Sequence, residues 1–246
     1  MAKTITVDFT RPVPLFPRGN TLLLPYAVLL PHAVQEMLVF EPRYCQMVDA
    51  CLSEMKGGSL LTARPIAMAT IDTDLPEVSR GVPMLRPAVC VGQIVQHQRL
   101  PGGRHIILLH GVCRAEIVSV EEVDGKRLYR QARLRPMEPL QGGPPRMPEA
   151  RRVLKQMLQR PLVQRLSSVK AASAWAERED VPTAAVVELV GAALIQDEDA
   201  RYELLACADP WERARMVAKV ISGLESVVAG ADAQSAKEWP KGLSWN

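Results

Sequence analysis

Several devices are missing from this chain, and each absence removes a class of protein. No Cys-x-x-Cys spacing occurs among its 5 cysteines. An odd number of unpaired-looking thiols argues against a disulfide framework and predicts reduced cysteines in a cytoplasm. Neither sign of charge dominates: 30 Lys and Arg stand against 27 Asp and Glu, a formal net charge of +3. That falls short of the concentrated basicity of a dedicated nucleic-acid binder. The most apolar run, residues 22–30, is split by Pro25 and is far shorter than the roughly 20 residues that span a bilayer. The first ten residues lack the apolar stretch of a secretory leader. A soluble, cytoplasmic protein with no membrane partner is expected.

Catalytic signatures are equally scarce. No Gly-x-x-x-x-Gly-Lys-Ser/Thr loop is present to cradle a nucleotide phosphate. Ser-x-x-Lys occurs at Ser53/Lys56 and at Ser167/Lys170. Both copies lack the companion motifs of serine-lysine enzymes, and both fall on amphipathic helices with Ser and Lys towards water. Of the 4 histidines, His105 and His110 alternate to opposite faces of one predicted strand and cannot converge on a metal ion. Cys45 and Cys51 read as small apolar fillers. No catalytic residue, metal or cofactor is expected.

What is there is a hydrophobic content of 48%, enough to bury a core of ordinary size. Residues 37–55 change period in their middle. A short apolar strand, 37–40, gives way to Tyr44, Met47, Val48, Cys51, Leu52 and Met55, spaced as one face of a helix that Pro42 can begin. Before it, residues 13–17 read as extended, 21–24 as a second strand, and 25–40 as a loop packed on the core. After it, 60–71 is β-compatible and 72–87 reads as a surface loop. Residues 88–98 and 104–110 form a predicted hairpin around the turn 100–103, with Gly111 inviting a bulge. Strand signals continue at 112–120 and, past Asp124-Gly125, at 128–134.

Five prolines and two glycines between 136 and 148 permit no regular element, so this stretch reads as a linker. Helical periods follow at 148–159, 166–177 and 183–196, and a further helix begins at Asp209-Pro210 with an acid cap. Arg146, Arg151, Arg152, Lys155 and Arg160 give the first of these a basic side, without the aromatic interleaving that would grip nucleic acid. The expected organisation is a β-rich part at 11–135, a linker at 136–148, a helical bundle at 149–229 and a loosely held tail at 230–246.

Phe40-Glu41-Pro42-Arg43-Tyr44, with Val-Pro-Leu-Phe-Pro at 13–17 and Met47-Val48, resembles the signature of the N-terminal domain of the Lon protease family. The resemblance extends through Val91-Gly92, Pro101-Gly102-Gly103, the aliphatic run 106–109, Gly111-Val112-Cys113-Arg114 and the strand 129–134. It continues into Leu204-Leu205 and Glu212-Arg213, and covers about residues 11–226.

It implies an α+β fold: a β-rich PUA-like pseudo-barrel with one helix, followed by a helical bundle. It implies a stand-alone, non-catalytic module that binds polypeptide substrates or serves a protease or chaperone as adaptor, with self-association left open and nucleic acid disfavoured. The recognition surface would be an apolar groove between the two parts or an exposed sheet edge. Phe40, Glu41, Pro42, Arg43, Tyr44, Gly111 and Arg114 form the structural motif, in which a guanidinium is expected to clamp Glu41 at the strand-to-helix corner. Arg43 and Tyr44 are the candidate binding residues. RNA binding through the PUA-like part and a hydrolase of small substrate scope are the competing readings.

Overall fold

Six strands and six α-helices make up the residues that the computed structural model describes: 5–18, 28–72, 84–138 and 146–233. β1 (Val13–Arg18) runs parallel to β3 (Ile66–Ile71), which pairs antiparallel with β4 (Leu85–Arg99). β4 pairs with β5 (His105–Glu121), β5 with β6 (Gln131–Pro136), and β6 returns to β1. These five strands close a ring. Val13, Leu15, Ala67, Ala69, Val89, Val91, Ala115, Ala132 and Leu134 fill it as a core of their own. Alanine recurs there on β3, β5 and β6 because so narrow a ring has little room for side chains.

β2 (Val34–Val39) lies outside the ring, antiparallel to the first half of β5. β4 and β5 are long because their far ends serve this second ladder. Register shifts at Val91/Gly92 and Ile94/Gln96 bend the pair out of the barrel towards β2, as bulges do. The hairpin turn between them uses Gly102 and Gly103 at positive φ. Gly111 is required for a different reason: a Cβ there would lie 2.2 Å from the carbonyl oxygen of Leu30. Its N–H bonds the Ala33 carbonyl at 2.9 Å, and its own carbonyl accepts from the His32 N–H at 2.8 Å. Only a residue without a side chain lets the 30–33 segment come that close.

α1 (Pro42–Ser53) begins with proline and buries Tyr44, Met47, Val48 and Cys51 of the expected stripe; Leu52 is half-buried and Met55 lies beyond the helix. It packs on the sheet face carrying Met37, Val39, Ile107 and Leu109. The same apolar cluster continues without a break into α2 (Pro148–Leu158), α3 (Ser167–Glu177), α4 (Thr183–Leu194), α5 (Glu198–Ala206) and α6 (Pro210–Ala233). The expected α+β architecture is the observed one.

Two local expectations need correction. Residues 34–36 belong to a strand rather than a core-packed loop, because Val34 and Glu36 face solvent while Met37 and Val39 face α1. The helix α5 was not anticipated, since its buried face includes Arg201 and Tyr202 along with Leu204 and Leu205 and so does not read as apolar. The strand expected at 21–24 and most of the loop expected at 72–87 lie outside the described residues.

Candidate functional site

Two places combine polar and apolar groups in unusual ways. The first is the seam between barrel and bundle, built around Arg114 of β5, which is 1% exposed. Its Nη1 donates to Glu138 Oε1 at 2.5 Å, its Nη2 to Glu188 Oε1 of α4 at 2.8 Å, and its Nε to the Leu205 carbonyl at 3.1 Å. Arg213 of α6 completes the set: Nη2 donates to Glu138 Oε1 at 2.6 Å, and Nη1 to the carbonyls of Cys207 and Ala208. Its Nε lies 2.7 Å from Glu188 Oε1 in an ion contact without a hydrogen bond.

Burial works against the charged form of Arg114, but the Glu188 and Glu138 carboxylates outweigh it and raise its pKa. Burial likewise lifts the Glu188 carboxyl, against the pull of Arg114 and Arg213. The two guanidiniums facing it stay charged and oppose that rise. Two guanidiniums and two carboxyl groups therefore close the seam. Such a set is costly to desolvate and far costlier to leave incomplete.

The second place is the margin of the sheet. β2 ends the strand order β2-β5-β4-β3-β1-β6, and among the described residues nothing pairs with its other edge. On its open face Val34 is 60% exposed, Leu38 47% and Phe40, just beyond the strand, 59%. Behind them the half-buried Ile106 and Leu108 of β5 extend the apolar surface, which Gln96 and Gln98 of β4 border. Single exposed apolar residues elsewhere, such as Val118 or Val227, are ordinary. Three large exposed apolar residues along one edge strand, interrupted only by Glu36, are not.

The motif residues divide between these regions. Arg43 Nε and Nη2 donate to Glu41 Oε2 at 2.9 and 2.7 Å, so the expected clamp is supplied by Arg43 and lies at the surface. Arg114 takes no part in it. Arg43 also stacks 4.6 Å above the Tyr44 ring. Tyr44 itself is buried against Phe16, with ring centroids 4.4 Å apart, and presents no face to a partner. Sequence reasoning missed Glu138, Glu188, Arg213, Val34 and Leu38. The signal for Glu188 was present: it is the lone charge in an otherwise apolar α4.

The remaining candidates are occupied locally. His97 Nε2 and His105 Nδ1 lie 2.9 Å apart beneath β2, and Asp49 Oδ1 is 3.7 Å from the far side of His105. Burial lowers the pKa of both imidazoles. Among the described residues no three His, Cys, Asp or Glu side chains converge as metal ligands would. Ser53 Oγ donates to the Ala50 carbonyl at 2.8 Å, and burial pushes the Cys51 and Cys113 thiols up to about 12. On the basic side of α2, Arg152 pairs with Glu149, Lys155 with Glu177 and Arg160 with Glu225, while Arg151 donates to the Arg178 and Val181 carbonyls. No described helix is long and apolar enough to cross a membrane.

A narrow barrel buttressed by a helical bundle is the fold of Lon protease N-terminal domains. The N-terminal domain of Mycobacterium avium complex Lon protease superposes with a TM-score of 0.57 at 16% identity, over 86% of this chain and 98% of that one. A Lon N-terminal domain protein from Xanthomonas campestris gives 0.53 at 21%, over 84% and 96%. The family of the ATP-dependent protease La (LON) substrate-binding domain matches residues 19–223, and the chain belongs to that family. No curated protein matches it.

Proposed function

We propose that the chain is a non-catalytic recognition module that holds polypeptide by adding an extended segment to the free edge of β2. Membership of a substrate-binding domain family supports polypeptide as the ligand class. The observation that carries the location is the exposure of Val34 and Leu38 on β2, and of Phe40 just beyond it, on a strand whose outer edge is unpaired among the described residues. Backbone groups there supply affinity that ignores sequence, and the apolar row supplies preference. The other location, a groove between barrel and bundle, is disfavoured because the Arg114 cluster and a continuous core fill the seam. Local pairing of the α2 cations weighs against RNA, and the high thiol pKa values and the helix-bonded Ser53 weigh against a hydrolase. A soluble adaptor in a reducing compartment fits these features.

The test is fluorescence anisotropy with labelled, reduced and carboxymethylated α-lactalbumin, a permanently unfolded chain. Saturable binding is expected, weakened at least about tenfold by Leu38→Asp, since one well-placed apolar contact is worth about 1.4 kcal/mol or more. The melting temperature should hold. Salt-sensitive binding of an RNA oligonucleotide with none of the unfolded chain would overturn the reading.

A further inference from the structure

The ladder between β2 and β5 has a fixed parity. Gly111 donates to the Ala33 carbonyl, and the register then steps from Val34↔His110 to Val39↔His105 without a break. Hydrogen-bonded and non-hydrogen-bonded pairs alternate along an antiparallel ladder. Gln35, Met37 and Val39 therefore exchange bonds with β5, while Val34, Glu36 and Leu38 turn their N–H and C=O groups to the free edge. These three residues also place their side chains on the open face. An added strand would meet a donor and an acceptor from each of them, and its own same-face residues would stand beside Val34, Glu36 and Leu38 in turn.

Glu36 is the anomaly in that row. It is an exposed carboxylate between Val34 and Leu38, and among the described residues it has no ion pair or side-chain hydrogen bond. Its neighbours across the open face are Leu108 and then Gln96, neither of them a cation. An apolar residue laid beside it would strip its water without replacing it, and an acidic one would be repelled. The same carboxylate disfavours a second copy of the chain, because two β2 strands paired antiparallel about Glu36 would set two carboxylates face to face.

Resting on the edge-strand reading above, we infer that β2 selects extended segments of the pattern apolar-x-cation-x-apolar, with the lysine or arginine paired to Glu36. Residues opposite one another in a hydrogen-bonded pair lie about 5.5 Å apart at Cα, within easy reach for a lysine ammonium and a glutamate carboxylate. Val34 and Leu38 then pack against the flanking apolar residues.

The experiment is anisotropy with three labelled peptides that contain Val-Thr-Lys-Thr-Leu, Val-Thr-Gln-Thr-Leu or Val-Thr-Glu-Thr-Leu between identical neutral flanks. Native protein should prefer Lys over Gln over Glu, with about five- to tenfold between the extremes, as cross-strand charge pairs provide. The spread should narrow in high salt. Glu36→Gln should level the series and Glu36→Lys invert it, with melting temperatures unchanged because the side chain is exposed. Equal binding of all three peptides, or an order unmoved by Glu36→Lys, would overturn the selectivity while leaving edge binding intact. Failure of every peptide and of the unfolded chain to bind would overturn both.

Discussion

The seam and the β2 margin depart from the usual distribution of residues in opposite directions. At the seam Arg114, Arg213 and Glu188 are withdrawn from water, with the half-exposed Glu138 at their rim; at the margin three large apolar side chains are left in it. Hydrogen bonding decides what each departure means. At the seam the guanidiniums of Arg114 and Arg213 are tied to both parts, leaving Glu188 Oε2 and Arg213 Nε without a hydrogen bond, so the surface is closed and its charge fixes barrel against bundle. At the margin the side chains are uncovered and, among the described residues, no strand lies beside the outer edge of β2, which is why the proposed binding edge is placed there. Buried charge marks a joint in this molecule, and the exposed apolar surface is the proposed opening.

The comparison breaks most visibly if stability and binding fail to separate. Arg114→Met leaves Glu138 and Glu188 with one guanidinium between them and should lower the unfolding free energy by about 3–5 kcal/mol in urea titrations. Peptide affinity of the folded fraction should stay within about twofold. Gly111→Ala is expected to disturb both regions, because its Cβ would strike the Leu30 carbonyl at the entry to β2. About 1–3 kcal/mol should be lost, accompanied by weaker peptide binding.

Acidification probes the sheet beneath the margin. His32, His97, His105 and His110 all have lowered pKa values with burial as the leading cause. The unfolded chain therefore takes up protons more readily than the folded one as the pH drops. Their contribution is complete above the ordinary imidazole value of about 6.5 and is lost as the pH falls through it towards the lower folded values. Melting temperature should be lower at pH 5 than at pH 7, and a flat profile would contradict the shielding of His97, His105 and His110 by the sheet. The smallest effect belongs to Glu41→Ala. Its pair with Arg43 is exposed and local, so under about 1 kcal/mol is expected by chemical denaturation, with no change in peptide binding.

Period and punctuation made much of this fold legible. α1 starts at its proline and buries the first four positions of its expected stripe; the β4–β5 hairpin turns at its glycines; α2, α3, α4 and α6 follow their apolar periods, and α6 its Asp209 cap. What escaped has a physical reason in each case. The first half of β2 does not alternate in the usual sense, because Val34 is apolar and yet faces water. The helix α5 hides an arginine whose guanidinium is satisfied by the carbonyls of Val28, Ala192 and Ile195. The partners of Arg114 lie 24 and 74 residues away, one in a proline-rich stretch and one in an alanine- and valine-rich helix. Local patterns carry no record of such long-range pairings.

Amide hydrogen exchange, resolved residue by residue with and without the lysine-centred peptide, reads the free edge directly. Gain of protection at Val34, Glu36 and Leu38 is the predicted result, with Gln35, Met37 and Val39 protected from the outset by β5. Tight binding that leaves those three amides exchanging freely and protects the seam around Arg114 instead would contradict the account.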